Sequence, residues 1–535
     1  MSMILVFSAC DNNENGLLNS DFAEYDIIIE IVDKSTGDSI KNATLELEDF
    51  NGNTQTANET TEIGVYEFEN VKLEVNKEFE VSIKKDGYID EIITLITDSD
   101  IVTKIDNEAI ELKEGESGDS DTFAGGSGTE NDPYLIETAE HLDNIRYNLN
   151  SYYKQIENID LKEYIEKNYE EKGWEPIGED FDKRFAKTYD GNDYKIINLK
   201  IYRSDARYVG LFGALSVGAN IKDLTLEEVD IIGGQSIGGI AGSIYREVNI
   251  NNCHVKGQTK GEDRVGGLVG HNGGEISNCS TNVEVEGERF VGGLVGWNNT
   301  GYSIENSYAT GDVTGGTIKE DIGECVGGLI GENSGHVIGS FATGNVFGEN
   351  SDYVGGLIGS SESNEGEIRS CYSSGNVWGK ENVGGLVGET SNENKIKFSY
   401  STGEVVGDNL VGGFVGMAIE TVTITNSYST GNVSGKEYIG GFVGEIGMGG
   451  NSDGEIRDCY SVGEVSGGYI IGGFAGGNSD IVSNCYYDTN TSGQDDEHTG
   501  IPKRTVEMSK KPTFEDWDFN DIWSIDEGSS YPYFQ

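Results

Sequence analysis

A short glycine-rich motif, [VI]-G-G-x-x-G, recurs from about residue 209 onward and restricts the folds that the chain can adopt. Successive complete copies are 26 to 35 residues apart. A near-constant period in this range indicates supersecondary units stacked in a row, because each unit buries its apolar face only against its neighbours. The complete copies begin at Ile237, Val265, Val291, Val326, Val354, Val383, Val411, Ile439 and Ile471, and a degenerate copy stands at 209–213.

Alignment of the repeats reveals further columns of like residues. One column is always Cys or Ser, the next is aromatic in seven of nine repeats, and Ile or Val stands three positions before the small residue. Such columns are expected when coils lie on one another at the strand spacing of about 4.8 Å, so that each residue contacts its own equivalents. The pattern predicts a parallel β-helix of about ten coils, with three short strands per coil and glycine at the corners. The small column comprises Cys253, Cys279, Ser307, Ser340, Cys371, Ser399, Ser427, Cys459 and Cys485.

Two other repeat architectures fit less well. A propeller blade needs roughly 40 residues or more, which exceeds the period found here. A leucine-rich horseshoe would show a fixed skeleton of Leu and Asn, and the repeats lack one. The composition agrees with strands, since 77 Gly and 27 Tyr accompany many Val and Ile while Pro numbers only 5. The expected fold class is all-β.

The region before the repeats is expected to contain a separate sandwich domain. Residues 25–113 alternate apolar and polar residues in short runs such as YDIIIEIVD and ATLELED, which predicts a small β-sandwich. With V-D-x-x-T-G, GVYEFENV and KKDGY, this region resembles the carboxypeptidase regulatory-like domain, a transthyretin-like sandwich that usually serves as a spacer or adaptor. The remaining divisions are a Gly/Ser/acidic linker at 114–133, a helix-containing cap with the first coils at 134–208, the repeat β-helix at 209–486 and a C-terminal cap at 487–535.

The first ten residues, MSMILVFSAC, resemble the cleavage box of a bacterial lipoprotein. The resemblance implies a signal at residues 1–10, lipidation of Cys10 and a polar tether at 11–24. The apolar run is short and lacks a preceding Lys or Arg, which departs from an ordinary signal peptide. The expected location is secreted, on the cell surface or outer envelope, with a lipid anchor. No later run of 18 apolar residues suggests a membrane span.

The charge of the chain argues against several partners. There are 94 acidic and 37 basic residues, for a formal net charge of -57 at pH 7. Such a surface repels phosphate backbones and anionic lipid headgroups, so we expect no nucleic-acid partner and no membrane contact except through the lipid anchor. The acidity suits a solvated surface in a salty or extracellular setting. Ca²⁺ is the cation that such a surface could take up, although no EF-hand loop or other specific motif supports it.

The sequence contains no convincing motif for catalysis or for metal binding. Ser236 stands in a literal G-x-S-x-G, but that motif requires a strand, a tight turn and a helix, whereas here it overlaps the repeat. The five histidines include no H-E-x-x-H and no close pair for zinc. Basic residues such as Arg264, Arg289 and Arg369 are scattered along the sequence. The chain is therefore expected to be neither an enzyme nor a metal protein.

Five of the seven cysteines share the small column of the repeat. Adjacent coils would place Cys253 over Cys279 and Cys459 over Cys485, within disulfide range, although in-register strands point their Cβ atoms the same way. Ser replaces Cys freely in this column, which favours small buried residues over disulfides. Cys325 is expected to be unpaired.

The repeats resemble a known family. VGGLVG, SNC and SYSTGNVSG, with the preceding GGSGTENDPYLI and the closing DFNDIWSIDEGSSYPYF, are similar to the GLUG-motif proteins of bacterial and archaeal surfaces. The likeness covers residues 123–535. It implies a right-handed parallel β-helix of the kind found in extracellular adhesins and in non-catalytic stretches of secreted proteases.

The repeat also predicts a candidate ligand stripe. The aromatic column and a polar column four residues later would each form a row along the β-helix, suited to a glycan or a surface protein; a purely structural ladder is the alternative. Adhesion or extracellular interaction is the expected function. A polysaccharide-degrading β-helix enzyme and a structural stalk or surface-layer component are the rivals. The stripe comprises Tyr308, Phe341, Tyr372, Tyr400, Tyr428, Tyr460, Asp312, Asn345, Asn376, Glu404, Asn432 and Glu464.

Overall fold

The computed structural model describes most of the chain after its first 21 residues. Two compact units are present: residues 1–125 with 144–148, and residues 126–143 with 149–535. The proposed lipidation site Cys10 and most of the predicted tether lie outside the described residues. The described residues are 22–33, 39–48, 54–60, 65–74, 78–85, 91–97, 102–104, 110–112, 122–178, 183–316, 324–363, 366–419, 421–447, 454–477, 481–496 and 500–535.

The N-terminal unit is a β-sandwich, as the alternating pattern predicts. A four-stranded sheet and a five-stranded sheet enclose one apolar core, to which Ile29 and Phe68 come from the first sheet and Leu45 and Val81 from the second. The buried Tyr66 hydroxyl donates to the Ile40 carbonyl at 2.9 Å and satisfies the one polar group of that ring. The strands are Phe22–Asp33, Thr44–Glu48, Thr54–Thr56, Asn58–Glu59, Val65–Glu74, Glu78–Lys84, Glu91–Thr97, Val102–Lys104 and Ile110–Leu112.

The second unit is built around a parallel β-helix, which confirms the main prediction. The first residue of each glycine motif is paired in register with its equivalent in the next coil, from Val209 with Ile237 to Ile439 with Ile471. Ten coils are joined in this way, including the degenerate copy. Residues of one column therefore lie above one another at the strand spacing.

Two ladders of strands run along the β-helix. One is a nine-stranded parallel sheet whose strands begin within the glycine motif, and the other contains the remaining strands of each coil. The strands of the first ladder are Phe212–Leu215, Ala241–Ile244, Val269–Asn272, Val295–Asn298, Ile330–Asn333, Ile358–Glu362, Val387–Ser391, Val415–Ile419 and Val443–Gly447.

The second ladder starts in the N-terminal cap and continues through every coil. Its cap and first-coil strands are Tyr134–Ile136, Tyr153–Gln155, Ile159–Asp160, Thr188–Asp190, Lys195–Ile197, Lys200–Val209, Asn220–Ile237 and Asn249–Lys260. Those leading into the motif are Asp263–Gly266, Arg289–Gly292, Cys325–Gly327, Tyr353–Gly355, Val383–Gly384 and Asn409–Gly412. Those before the small column are Glu275–Ser277, Ser303–Glu305, His336–Ile338, Glu367–Arg369, Lys395–Lys397, Thr423–Thr425, Glu455–Arg457 and Val482–Ser483. Those after it are Ser280–Glu286, Tyr308–Ala309, Val313–Thr314, Phe341–Ala342, Val346–Gly348, Tyr372–Ser373, Val377–Gly379, Tyr400–Ser401, Val405–Val406, Tyr428–Ser429, Val433–Gly440, Tyr460–Ser461, Val465–Gly472, Tyr486–Asp488 and, last, Ile501–Lys503.

Left-handed residues turn every coil before the small column and most coils before the glycine motif. All nine residues that precede the small column have φ between 48° and 60°, and Asn is the commonest of them. A second left-handed column stands just before the glycine motif, with φ between 43° and 55°. These corners and the buried glycines divide coil 383–410 into five short strands, where the sequence predicts three. The second column comprises Tyr208, Ser236, Arg264, Phe290, Asn382, Leu410, Tyr438 and Ile470.

The interior of the β-helix is mainly apolar and also contains rows of buried polar side chains. Val, Ile and Leu of the repeat columns are almost fully buried. Among them, Asn272, Asn298 and Asn333 are 0 % exposed and form a ladder, in which each side-chain amide donates to the oxygen of the next at 2.7 and 2.8 Å. Asn333 donates in turn to the Ser361 hydroxyl at 3.1 Å. The row satisfies buried amides that would otherwise destabilise the fold.

Short helices and a hairpin complete the second unit. Thr138 caps the first helix, since its hydroxyl accepts from the His141 N–H at 3.2 Å. The hairpin of Trp523–Ser524 and Tyr533–Phe534 lies in the C-terminal segment and packs on the last coils. The α-helices of this unit are Ala139–Asp143, Lys162–Asn168, Thr489–Ser492 and Thr505–Met508, and its 3-10 helices are Glu170–Lys172 and Lys511–Thr513. The 3-10 helix Asn144–Tyr147 belongs to the N-terminal unit.

Candidate functional site

The predicted aromatic column forms a continuous stack on the outside of the β-helix. The rings of Tyr308 and Phe341 are 4.7 Å apart at 2°, and the four following pairs lie 4.6 to 5.0 Å apart at 2° to 8°. The residue after each ring, such as Ala342 or Ser373, is buried, so the rings face outward. The register of the coils therefore imposes face-to-face stacking from Tyr308 to Tyr460.

Stacking leaves little ring face for a ligand. Each inner ring has an aromatic neighbour on both sides, so its edge and hydroxyl are what face solvent. Tyr308 differs because its partner in the preceding coil is Ser280, and it is the most exposed ring of the stack at 36 %. The one described ring face without an aromatic neighbour on this stack is therefore at its N-terminal end.

The C-terminal segment covers the other end of the stack. Trp523 lies 6.2 Å from Tyr428 and 6.1 Å from Tyr460, and the Tyr460 hydroxyl donates to the Pro532 carbonyl at 2.5 Å. Tyr460 is only 2 % exposed, and burial raises the pKa of Tyr428. Phe534 approaches Tyr400 to 6.3 Å. The open part of the predicted stripe is thus reduced to its first rings, from Tyr308 to Tyr372.

The polar column of the predicted stripe has a structural role. Asp312 accepts from the Asn345 N–H at 2.8 Å, Asn345 from the Asn376 N–H at 3.2 Å, and Asn376 from the Glu404 N–H at 3.0 Å. Asn432 accepts from the Glu464 N–H at 3.0 Å in the same way. Each of these side chains thus binds the backbone of the next coil, while still lying at the surface.

A second aromatic pair lies on the same outward segment, and the alignment of repeat columns does not predict it. Phe347 and Trp378 stack at 4.9 Å and 3°, six residues after Phe341 and Tyr372 respectively, and both are partly exposed. Their column holds Thr314 in the preceding coil and Val406 in the following one. Both outer faces of this pair therefore border smaller side chains. The column is aromatic in only two coils, so uniformity could not reveal it.

The cysteines of the small column are buried and free. Cys253, Cys279, Cys371, Cys459 and Cys485 form no disulfide, nor does Cys325. Cys279 donates its S–H to the Ser277 carbonyl at 3.2 Å, as the Ser307 hydroxyl donates to the Glu305 carbonyl at 2.8 Å. The disulfide alternative for stacked pairs is therefore wrong in this structure, because in-register side chains point in parallel instead of toward each other. Burial raises the pKa of the Cys371 thiol to about 12.

Two carboxyl groups on the nine-stranded sheet have raised pKa values. Glu332 and Glu389 belong to one column, with Ser360 between them. Burial first and the Glu362 carboxylate second raise the pKa of each to about 7. Both groups thus change charge near neutral pH.

The described part of the chain contains neither a nucleophile elbow at Ser236 nor a cluster of metal ligands. Ser236 is 3 % exposed and ends the long strand Asn220–Ile237 at a coil corner, without the helix of a nucleophile elbow. Across the described ranges, no three His, Cys, Asp or Glu side chains come together in a way that could hold a metal ion. No described helix is long and apolar enough to cross a membrane.

Comparison with known proteins defines the repeat. Three segments, residues 261–286, 291–314 and 350–377, match the family described as the GLUG motif. These segments lie within the stacked coils. The chain is a GLUG-repeat protein.

Relatives share the repeat at moderate identity. A protein of Evansella cellulosilytica, named as a Gly-rich membrane protein, is 37 % identical over 484 residues, which cover 78 % of this chain and 46 % of that one. Halomucin of Haloquadratum walsbyi is 35 % identical over 148 residues, which cover 27 % of this chain and 2 % of that one. The chain thus spans less than half the length of either relative. A structure from Bacteroides ovatus, named for immunoglobulin A1 protease, has a TM-score of 0.33 and 17 % identity, covering 77 % of this chain and 95 % of that one.

Proposed function

We propose that the protein is a non-catalytic β-helix protein that acts in adhesion or extracellular interaction at the cell surface. The observation that carries the proposal is the outward segment of coils 308 to 378, where two aromatic stacks flank a row of polar side chains. Exposed aromatic side chains beside polar groups are typical of recognition surfaces. The names of the relatives, a membrane protein and halomucin, also favour a surface location.

The partner that suits this face is a glycan or a surface protein. The free ring face of Tyr308 and the outer faces of Phe347 and Trp378 offer apolar platforms, and the neighbouring Asp312 and Asn345 offer hydrogen-bond acceptors. A sugar ring combines an apolar C–H face with peripheral hydroxyls and matches such a surface. The proposed contact is therefore the N-terminal part of the predicted stripe together with the second stack.

Membrane attachment through Cys10 remains part of the proposal. Growth with a fatty-acid probe should label the full chain, and Cys10→Ser should abolish the label while Cys371→Ser, in the buried column, leaves it unchanged. An unlabelled wild-type protein would remove the lipid anchor from the proposal without affecting the binding face.

A polysaccharide-degrading enzyme is the second candidate. The observation in its favour is the pair Glu332 and Glu389, two coils apart, with pKa values of about 7. A more distant relative in Streptococcus sanguinis, 29 % identical over 205 residues that make up 9 % of its length, is also named for an enzyme, although for an immunoglobulin A1 protease. The surface-binding proposal is preferred because the aromatic face lies on the outside, whereas the described residues show no catalytic constellation around these carboxyl groups.

Glycan-array binding with the purified full chain tests the proposal. We expect saturable binding without release of product, and at least a tenfold loss of affinity in Trp378→Ala or Tyr308→Ala. Val406→Ala is the matched control, because Val406 occupies the Trp378 column one coil later. Product detected by mass spectrometry would favour the enzyme. Neither binding nor product with glycans or with surface-protein extracts would favour a structural stalk.

A further inference from the structure

A cavity of about 470 Å³ opens on the first coils of the β-helix, and its lining is strongly basic. Four of the ten arginines of the chain border it, namely Arg184, Arg207, Arg246 and Arg264. No carboxylate is among the residues that line it. In a protein with a net charge of -57 this concentration of positive charge is unexpected. The expectation that basic residues are scattered is therefore wrong for this part of the fold.

The stacking of coils brings these arginines together from distant parts of the sequence. Arg207 pairs with Gln235, which pairs with Asp263 in the third coil, and Arg264 follows in the adjacent column. Arg246 comes from the turn after the strand Ala241–Ile244. Arg264 stands at a left-handed corner with φ of 54°, a conformation that costs a non-glycine residue about 1 kcal/mol or more.

Aromatic rings hold three of the guanidinium groups. The Cζ atoms of Arg184 and Arg246 lie 4.5 Å and 5.2 Å from the centre of the Tyr245 ring. Arg264 Cζ lies 4.9 Å from the centre of the Trp297 ring, and the His271 ring lies 5.1 Å from Trp297 on a tilted plane. A guanidinium group held over a ring carries its N–H donors in its own plane, which is the geometry that binds carboxylates and sulfates.

The positive charge of the cavity is only partly neutralised. Asp263 pairs with Arg264 at 2.7 Å and with Arg289 at 3.6 Å, so this one carboxylate serves two arginines. The Nε atom of Arg264 is buried and has no hydrogen-bond partner among the described residues. Neither Arg207 nor Arg246 lies within ion-pair distance of a carboxylate in the part of the chain that the structure describes. Burial and the charge of Arg264 lower the pKa of His271, so that ring adds no charge at neutral pH.

We infer that this cavity binds an acidic sugar unit, a monosaccharide or disaccharide that carries a carboxylate or a sulfate. The guanidinium groups bind the anion, the Tyr302 ring contacts the sugar, and the edges of the Tyr245 and Trp297 rings border it. Ser243 and Asn299 supply further hydrogen-bonding groups. The volume suits one or two sugar rings, and the negative charge of the whole chain disfavours long polyanions such as nucleic acids. This site is separate from the aromatic face, and neither proposal depends on the other.

Isothermal titration calorimetry with the full chain at low salt tests this inference. The probes are glucuronate, glucose and inorganic sulfate. We expect glucuronate to bind, its affinity to fall as NaCl is raised, sulfate to bind at least tenfold more weakly and glucose to give no signal. No detectable binding of glucuronate at concentrations up to about 10 mM, where even a weak complex would form, would overturn the inference. Sulfate binding as tightly as glucuronate would overturn the assignment of a saccharide, and equal binding of glucose would overturn the role of the arginines.

Paired variants locate the binding. Arg207→Ala with Arg246→Ala removes two exposed cavity arginines and should weaken glucuronate binding at least tenfold. Arg369→Ala with Arg457→Ala is the matched control, because both side chains lie on other coils and pair with Glu367 and Glu455. Equal losses in the two double variants, with circular dichroism unchanged, would overturn the site. Trp378→Ala, on the aromatic face, should leave glucuronate binding intact even where it abolishes glycan-array binding.

Discussion

Single residues of the repeat have requirements that come from the coil above or below. The first glycine of each motif lies where a Cβ atom would strike backbone, and at Gly384 that atom would be 1.9 Å from the Val387 carbonyl oxygen and 2.8 Å from the Gly416 nitrogen. Neither atom belongs to a flexible side chain. The glycine is thus required by close approach of the backbone, and not by a positive φ.

Gly384→Ala should therefore destabilise the protein by about 3 kcal/mol or more, because backbone must move in two coils. Urea denaturation followed by circular dichroism measures the loss. The control is Gly528→Ala, where φ is 82° and nothing lies within 4 Å of the added Cβ, so only the left-handed conformation contributes, about 1 kcal/mol. A smaller loss at Gly384 than at Gly528 would contradict the packing of the motif.

The raised pKa values of Glu332 and Glu389 predict how stability depends on pH. The folded state prefers the protonated carboxyl, so the stabilisation is present below the ordinary pKa of 4.5 and is lost as the pH rises through about 7. Burial, Glu362 and, for Glu332, the opposing charge of Arg264 set this preference. Glu332→Gln with Glu389→Gln should thus raise the free energy of unfolding at pH 8 by on the order of 1–3 kcal/mol and leave it unchanged at pH 4.

Glu507→Gln provides a comparison in which the effect on stability has the opposite dependence on pH. Hydrogen bonds from Arg504 lower the pKa of Glu507, so its contribution is present at neutral pH and is lost as the pH falls through the lowered value. Thermal melts of the variants between pH 4 and pH 8 should therefore diverge in opposite directions. A double Gln variant that gains no stability at pH 8 would show that the two buried carboxyl groups are not destabilising when ionised.

At the scale of structural elements, ladders of like side chains link the strands of successive coils. The interior row of Asn272, Asn298 and Asn333 depends on each amide both donating and accepting. Asn298→Leu would leave the oxygen of Asn333 and the amide of Asn272 without their partner in the row. We expect a loss of about 2–4 kcal/mol in the free energy of unfolding, measured by urea denaturation.

Thr390→Val is the matched control for this row. Thr390 occupies the same column further along, is 0 % exposed, and its hydroxyl has no hydrogen-bond partner among the described residues. Removal of that hydroxyl should leave stability unchanged or raise it slightly, because no hydrogen bond is lost. An Asn298→Leu loss no larger than that of Thr390→Val would mean that the amide row contributes little.

The same ladders decide what the sequence could predict. Columns that repeat in every coil, such as the Cys/Ser column and the rings from Tyr308 to Tyr460, predict the β-helix because like residues must stack. The pair Phe347 and Trp378 escaped prediction because their column is aromatic in only two coils. The sequence also did not predict that the C-terminal segment covers the aromatic stack. That segment is not part of the repeat, and its contacts depend on tertiary packing.

The basic cavity could be predicted from the sequence even less than the second aromatic pair. Arg207 and Arg264 belong to different columns of different coils, Arg246 to a turn, and Arg184 to the cap, so no spacing rule links them in the sequence. Register places them together only once the coils are stacked. Repetition therefore predicts the scaffold, whereas departures from repetition, which carry the candidate binding chemistry, require coordinates.

At the scale of the whole β-helix, each coil contacts chiefly its two neighbours. The free energy of unfolding is then approximately the sum of the contributions of single coils and of the interfaces between them. The strands at an exposed end have unpaired backbone groups, so another segment must cover them. The C-terminal segment provides one for the last coils, where Trp517 and Trp523 stack at 4.6 Å over Tyr428 and Tyr460. A whole coil is thus an exchangeable unit, provided that its removal restores the same columns on both sides.

Deletion of residues 383–410 tests this property. The deletion removes one period and joins Asn382 to Val411, so that Val354 meets Val411, Tyr372 meets Tyr428, and Tyr372 takes the place of Tyr400 beside Phe534. We expect a folded protein with an unchanged circular-dichroism spectrum per residue and a single cooperative thermal transition. Deletion of 383–396, half a period, is the control and should prevent folding, because every later column would meet a different one. Similar behaviour of the two deletions, whether both fold or both fail, would contradict in-register stacking as the source of stability, since only register distinguishes them.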